Sequence, residues 1–493
     1  MKSDIIVIGG GASGLMAAYH AARTLVDAGL DAQVTVLEKM PRPARKEMIT
    51  GKGRCNFTNV KAWNEFSGHV RSKPNFVKSA FYNLPPQAVV DWFERFGMPT
   101  VVERGDRAFP VSHHASDVVD TLVSACHSLG VKIETDTEIL AVRVNERLEA
   151  VAPENRATLG IVRGGTASEA QRWGPAKPDV FRGELPPGFT LTASDGREWK
   201  CARLIVATGG LSYPTTGSTG DGFRWAEELG HKIVPTFPAL TALVPKGYKL
   251  QEDKDLHIDR NTPLSELGTK LCGISLKNIQ LSLLIEGTET DVEFGDIDFT
   301  DGGLEGPVGF QLSRKAVKAL VNGSRVRLVL DLKPGVNLTE LTVRVKELWT
   351  EIDKDPRSRG VREKERCRIL LGKLMPWELI PAFTAMHPEI LTLERRGRAD
   401  TKVWVNLVSI AKALKSWPFD IAGYVGYERA VVTAGGVSTD EFVAKTMESR
   451  LVPGLHLCGE VLDIDADTGG YNLQLAFATG ALAGISAAKS LLL

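Results

Sequence analysis

Residues 4–14 read DIIVIGGGASG, and the fold turns on how that run is parsed. Asp4 to Ile8 is a short apolar run of the kind a strand buried on both faces carries. Gly9, Gly11 and Gly14 then fit G-x-G-x-x-G. In that spacing the first glycine permits a tight turn and the second lets the backbone approach a pyrophosphate. The third lets the following helix pack closely on the strand. Ser13 to Ala28, rich in Ala and Leu, predicts that helix, and Gly29 stops it. Its first turn offers unpaired N–H groups and positive potential to a phosphate. A second strand, Gln33 to Leu37, ends in Glu38, whose carboxylate suits the ribose hydroxyls of an adenosine. A glycine-rich turn alone would not explain strand, helix, strand and acid in that order. The run therefore predicts a dinucleotide site built from Gly9, Gly11, Ala12, Ser13, Gly14 and Glu38. The Glu38 charge disfavours a 2′-phosphate, and Lys39 beside it is the one cation that could offset this.

The whole chain limits what else is possible. At 493 residues it exceeds one hydrophobic core, so more than one domain is expected. Lys+Arg and Asp+Glu each total 60, which gives no overall field favouring nucleic acid or an anionic membrane. No apolar run approaches the ~20 residues of a spanning helix. The N-terminal run stops after Ile8, too short for a signal peptide. The expectation is a cytoplasmic protein with no membrane and no nucleic-acid partner, acting on a small molecule. Cys55, Cys126, Cys201, Cys272, Cys367 and Cys458 are dispersed, which fits a reducing compartment and gives no metal-ligand spacing.

Two later segments repeat the logic of the first. Arg203 to Val206 is a strand running into ATGG (207–210). Leu455 to Cys458 is another, ending in Gly459-Glu460. An acidic loop follows, and Gly469-Gly470 opens a helix running through about Leu491. Together these segments resemble the FAD-binding fold of the glutathione-reductase type. The resemblance implies a Rossmann-like α/β domain in which the Gly459-Glu460 pair binds the ribityl chain. The last helix would aim its N-terminus at the flavin pyrimidine, where negative charge develops on reduction. TGKGRCNFTN (50–59) lies where the chain can return over the dinucleotide. Its two glycines permit close backbone approach, Lys52 or Arg54 can face the pyrophosphate or flavin, and Asn56 and Thr58 can hydrogen-bond ring edge or ribityl.

GKGRCN (51–56), FPVSHHASDV (109–118), SYPTTGSTGDG (212–222), TAGGVS (433–438) and GEVLDIDADTGGYNLQ (459–474) occur in this order in one family. In these motifs the chain resembles the BaiN-like flavoproteins, also labelled the aminoacetone-oxidase family of FAD enzymes. The resemblance implies a non-covalent FAD held by the glycine residues above together with Lys39, Lys52, Gly53, Arg54, Cys55, Asn56, Thr58 and Ile139. Ala207, Thr208, Gly209, Gly210, Gly459, Glu460, Asp465, Gly469, Gly470, Tyr471 and Asn472 complete the expected set. It also implies an insert between the ATGG strand and the C-terminal segment. Known members of the family include a reductase of conjugated double bonds in bile-acid intermediates and an amine oxidase. The chain departs from the family in a Gly/Pro-rich excursion at 151–189, read as a surface elaboration. It departs again at Asp301 and Glu305, where His- or Ser-like residues are common, and Glu460 stands where the broad fold more often has Asp.

From about 237 to 430 the glycine signatures vanish. Alternating runs such as Leu281 to Glu286 and Val326 to Asp331 suggest a small barrel-like β-structure. Asn337-Leu338-Thr339-Glu340 reads as a helix start, and periodic apolar positions continue to about Lys415. The expected organisation is a discontinuous FAD-binding domain over 1–236 and 431–493. A β-rich insert would occupy 237–337 and 416–430, carrying a helical subdomain over 338–415. The basic run at 354–373 is read as a solvated helix face, because Asp353, Asp355, Glu363 and Glu365 are interleaved with its cations.

The leading functional reading is an FAD-dependent oxidoreductase passing hydride between flavin N5 and a small organic substrate, which enters at the junction with the insert. No second G-x-G-x-x-G follows a strand, so NAD(P)H is expected only as a transient donor at the flavin face. Reduction of an activated C=C bond is favoured over an O₂-using amine oxidase. A non-catalytic FAD-binding or redox-sensing protein, on RNA for instance, is a second class. A thiol enzyme using Cys55 with His69 as the nearest histidine is a third. No catalytic residue is fixed by the sequence; Arg54, Cys55 and Tyr471 are the candidates.

Overall fold

Ile5, Ile6 and Val7 are wholly buried, as a central parallel strand covered on both faces requires. The computed structural model describes residues 1–49, 53–145, 188–251, 255–395 and 401–492. In it β1 (Lys2–Ile8) lies between β2 (Val34–Leu37) and the strand Glu198–Val206, parallel to both. Ile8 stands opposite Leu37 on one side and Val206 on the other. Lys132–Glu134 extends the sheet beyond β2, and Leu455–Leu457 extends it beyond Glu198–Val206, again in parallel. The carboxyl ends of these strands share one edge, where open α/β sheets bind ligands.

The strand pair Ile139–Val144 and Phe189–Ala193 adds an antiparallel arm, with Phe189 opposite Cys201. Phe189 thus begins a strand, which corrects the 151–189 excursion at its end. Residues 146–187 lie outside the described residues.

Two helices cover the centre of this sheet. The first, α1 (Ala12–Asp27), follows Gly11 directly, one residue ahead of the sequence-based start, and Gly29 leaves it with φ +67°. The C-terminal helix, Gly469–Lys489, has 21 residues and is buried on most sides. The two helices meet backbone to backbone. A Cβ added at Gly480 would lie 2.2 Å from the Ser13 carbonyl oxygen, and one at Gly484 would lie 2.1 Å from that of Ala17. The contacts advance together along both chains, so the helices run parallel. Residue 479 then stands beside residue 12, ten residues past Gly469. At about 1.5 Å per residue, the C-terminal helix starts about 15 Å beyond the start of α1.

The chain divides into two compact units, Met1–Thr236 with Val432–Leu493 and Phe237–Val431. The second unit is built on a closed antiparallel barrel. Its strands run Leu243–Pro245, Gly303–Glu305, Thr288–Thr300, Ser275–Ile285, Val326–Asp331 and Trp417–Tyr424 around the circuit. Alternate residues of the last strand are buried and exposed, the period a barrel wall imposes. Leu281, Leu283, Leu328, Leu330, Phe299, Trp417 and Phe419 pack in the buried core of this unit.

Helices Leu338–Lys354, Glu363–Gly372, Ile380–Met386 and Leu407–Lys415 lie between the fifth and sixth barrel strands in sequence. The first has a capping box: Asn337 accepts from the Glu340 N–H at 2.9 Å, and Glu340 accepts from that of Asn337 at 3.2 Å. The stretch read as a helical subdomain, 338–415, carries an antiparallel hairpin as well, Leu391–Arg395 with Thr401–Val405.

The helix contact predicts that Gly484→Ala destabilises the protein by about 1–3 kcal/mol in chemical denaturation, through forced separation of the backbones. Gly68→Ala is the control, because no atom lies within 4 Å of its added Cβ. Equal effects from the two changes would contradict the close contact.

Candidate functional site

The glycines of the first loop do different work. Gly9 has φ +101°, and a Cβ there would lie 2.4 Å from the Ala207 carbonyl oxygen. A Cβ at Gly14 would lie 1.9 Å from the carbonyl oxygen of Gly9. These two let strand, turn and helix close on one another. Gly11 is different: the nearest atom to its added Cβ is Glu47 Oε1, at 3.9 Å, so its approach is open.

Helix α1 has no side-chain cap; the Ala12 N–H donates to Glu47 Oε1 at 3.0 Å. The C-terminal helix also starts without a side-chain cap, and nothing lies within 4 Å of a Cβ on Gly469. Two long helices thus present N-terminal ends about 15 Å apart along one direction, the first with its Ala12 N–H taken by Glu47 and the second without a side-chain cap. Each end favours negative charge. An extended dinucleotide, with a diphosphate at one point and a ring that gains negative charge at another, fits that arrangement.

Glu38 is buried at the end of β2. Its Oε2 accepts from the Gly10 N–H at 2.7 Å and its Oε1 from the Met40 N–H at 2.8 Å. Burial raises its pKa above the ordinary value, against those two donors. The same holds for Glu47, raised by burial and opposed by backbone N–H donors including that of Ala12. Lys39 donates to Asp221 Oδ2 at 2.7 Å and to Thr219, so it ties the strand end to the helix Asp221–Glu228. Ile139 opens the Ile139–Val144 strand and is buried in the main core.

Around Glu460 the structure gathers residues from four distant segments. Lys46 Nζ donates to Glu460 Oε2 at 2.7 Å. Ser212 Oγ at 2.5 Å and the Thr433 N–H at 2.7 Å both donate to Glu460 Oε1. Lys46 also donates to Ser212 Oγ at 2.6 Å. Burial pushes the Glu460 pKa up, but the Lys46 charge and these donors outweigh it and hold the carboxyl below its ordinary value. Gly210 sits in the same cluster: its added Cβ would lie 2.4 Å from Thr433 Oγ1. Thr433 Oγ1 in turn accepts the Leu211 and Ser212 N–H groups, at 2.8 and 3.1 Å, which fixes the chain leaving ATGG. Lys46, Ser212 and Thr433 were not among the sequence-based site residues, although the last two lie inside the quoted motifs.

The GKGRCN loop meets the start of the C-terminal helix. A Cβ on Gly470 would lie 2.2 Å from Asn59 Oδ1 and 2.4 Å from the Asn56 amide. Asn56 and Asn59 are themselves paired at 3.0 Å. Three expectations for this loop change. Arg54 donates to Glu103 at 2.5 Å and lies over the Phe109 ring at 4.5 Å, so its charge is committed to that neighbouring sheet. Thr58 is fully buried and donates to Gln474 at 2.7 Å, so it braces the helix from inside. Cys55 is fully buried at φ +52°, and His69 donates or accepts at Asp467 Oδ2, 2.9 Å away. The histidine has an orienting carboxylate, but a wholly buried thiol is not placed to act as a nucleophile. Gly53 takes φ +90° in this loop, and Lys52 lies outside the described residues.

The acidic loop before the C-terminal helix is also internally bound. Asp465 accepts from Ser72, Asp467 pairs with Arg71, and Asn472 grips the loop through Ala466 and Thr468. Tyr471 is buried, stacks on His69 at 4.3 Å, and its phenol pKa is raised by that burial.

The parallel sheet, the glycine turn and the helix that follows it define a Rossmann-type protein. The HI0933-like protein Rossmann domain matches residues 3–167 and 185–486, and the chain belongs to that family. It is 29% identical over 483 residues to 3-dehydro-bile acid delta(4,6)-reductase of Clostridium scindens, covering 98% of each protein. It is 28% identical over 490 residues to a ribosomal RNA dihydrouridine synthase of Haemophilus influenzae, covering 99% of each. Among solved structures, 3-ketosteroid-delta4-(5alpha)-dehydrogenase from Rhodococcus jostii RHA1 matches with TM-score 0.43 and 15% identity, over 99% of this chain and 97% of that one. No described helix is long and apolar enough to cross a membrane.

The Glu460 cluster gives a signed pH prediction. Glu460→Gln should cost about 1–3 kcal/mol at neutral pH, the loss of hydrogen bonds to a charged group. Because the folded-state pKa is depressed, that stability is present above the unfolded pKa and is lost as pH falls through the folded one. The difference between wild type and variant, followed by denaturation against pH, should therefore shrink on acidification. A pH-independent difference would contradict the assignment.

Proposed function

We propose that the first unit holds FAD non-covalently and that the protein reduces a C=C bond conjugated to a carbonyl, with electrons from NAD(P)H. The observation that carries the cofactor reading is the pair of helix starts without a side-chain N-cap, at Gly11 and Gly469, with room beside each glycine. The diphosphate would rest on the first turn of α1, at Gly11, Ala12, Ser13 and Gly14. Glu38 would take the ribose hydroxyls. Gly459 and Glu460 would face the ribityl chain, with Ala207 to Gly210 beside it. Gly469 to Asn472 would meet the pyrimidine edge. What FAD supplies when bound is hydride chemistry: two electrons and a proton leave NAD(P)H and arrive at the β-carbon of the acceptor, while the α-carbon takes a proton.

The chain's own groups suit that task. Lys46 keeps Glu460 ionised, so the ribityl side of the cradle carries a fixed, hydrogen-bonded acceptor. Tyr471, whose phenol burial keeps protonated at neutral pH, is the proton donor we favour among the three candidates, because it lies in the first turn of the C-terminal helix. Glu47 shares the start of α1, where its charged form repels a diphosphate and its protonated form does not.

The acceptor is inferred from the relatives. A 3-dehydro steroid with delta(4,6) unsaturation and a uridine base both present a C=C bond in conjugation with a carbonyl. Both are Michael-type hydride acceptors, and their shared chemistry is broader than either substrate.

Two measurements test the reading. In anaerobic stopped flow, NADH or NADPH should bleach the flavin rapidly, and an enone should restore its colour. Bleaching by an amine alone, with peroxide formed when air is admitted, would overturn the reductase in favour of an amine oxidase. Glu38→Ala should weaken FAD binding by about 1–3 kcal/mol, while Glu47→Gln should leave it equal or tighter. The reverse ranking in an FAD titration would exchange the two carboxylates' roles.

A further inference from the structure

We propose that the exposed face of the Glu363–Gly372 helix, with Trp377 beside it, is a docking surface for single-stranded RNA. The inference rests on the reading above, in which a uracil ring is one of the acceptors the flavin site can reduce.

Between residues 354 and 373 the sequence places eight cations and three acids, in a chain whose formal charge is zero. The structure separates the cations that have a structural task from those that have none. Arg357 pairs with Asp355 at 2.9 Å. Arg366 is held by Glu363 at 3.2 Å and by Asp353, and lies 4.8 Å over the Trp349 ring. Glu363 and Glu365 occupy the first turn of the helix, where its dipole favours acids. The acids therefore have a local reason to be there.

Lys354, Arg359, Arg362, Lys364, Arg368 and Lys373 remain. All are exposed, and none is in an ion pair among the described residues, although the Lys373 charge reaches Asp355. Glu365 and Glu378 are the acids beside them with no ion pair among the described residues. The interleaving that makes the run look neutral in sequence is thus largely used up inside the fold.

Solvated cations need no partner, so charge alone does not decide. Trp377 supplies the second observation. It is 49% exposed, yet its benzo ring is seated on the backbone at Gly372, where an added Cβ would lie 2.4 Å from a ring carbon. The indole is fixed in place while about half of it faces water. The Arg368 guanidinium stands 5.7 Å from the ring centroid. A rigid, half-exposed aromatic plane among cations is what unpaired bases stack on, with phosphates taken by the neighbouring charges. A duplex would hide its base faces, and an acidic peptide would have no use for the plane.

The test uses the FAD-loaded full chain and a short, labelled, uridine-rich single-stranded RNA, followed by fluorescence anisotropy over a range of salt. Log affinity should fall linearly with log salt, with a slope of about −0.7 per phosphate contact. The triple change Arg362→Glu, Lys364→Glu, Arg368→Glu should make that slope shallower by about two. Trp377→Ala should weaken binding about 5- to 160-fold, the range for loss of one stacked base, and Trp377→Phe should restore most of it. None of these variants should alter flavin bleaching by NADPH or turnover of a small soluble enone. Variants that bind RNA as the wild type does would overturn the proposal. So would heparin or polyglutamate binding as tightly as RNA with no dependence on Trp377, which marks a surface for acidic polymers. A wild-type protein that turns over the small enone but binds no RNA also overturns the docking proposal, and leaves the reductase reading standing.

Discussion

The carbonyl oxygens of Ser13 and Ala17 sit where the side chains of residues 480 and 484 would otherwise begin. That contact sets the rest of the first unit. It forces glycine at two positions one helical turn apart and brings two helix axes as close as backbones allow. It also fixes their relative register. Register is the quantity that matters for function, because it determines how far the start of one helix lies from the start of the other. A slip of one turn would move the C-terminal helix start by about 5.4 Å relative to α1. The glycines that close the first loop act in the same way. Gly9 lies against Ala207 and Gly14 against Gly9, so the loop, the ATGG strand end and α1 form one packed body.

On that frame the electrostatics divide into two kinds. Near α1 the buried acids Glu38 and Glu47 are bound by backbone N–H groups, and burial makes each harder to ionise. Beyond the ATGG turn, Glu460 is buried with a lysine and two further donors, and stays ionised. The difference has a plain cause. A backbone N–H offers a dipole, while Lys46 offers a full charge that compensates for lost solvation. The first unit therefore has a neutralisable pair of acids beside the start of α1 and a fixed negative charge at Glu460.

Much of this was legible in the sequence, because it is local. The order DIIVI, GGGASG, helix and Glu38 specifies strand, turn and helix by residue type alone, and the Ala- and Gly-rich tract after Gly470 announces a helix meant for close packing. The Asn337 capping box was equally readable, since donor and acceptor are three residues apart. What could not be read is what depends on pairing across hundreds of residues. Lys46 finds Glu460 414 positions away, and Thr433 finds Ser212 221 positions away. Arg54 reads in sequence as a cation able to face a cofactor, whereas Glu103 and Phe109 hold it. The Leu391–Val405 hairpin is hard to read in sequence because its strands are short and follow a run of helices. The cations at 354–373 looked balanced only because sequence cannot say which acids are already engaged.

The central claim is that two helix starts in one unit hold a single dinucleotide. It is tested most directly by saturating the purified protein with FAD, removing the unbound fraction and measuring retained visible flavin absorption per chain. The account predicts one FAD retained per chain, with the band perturbed from that of free flavin. Protein that emerges colourless after saturation would contradict it.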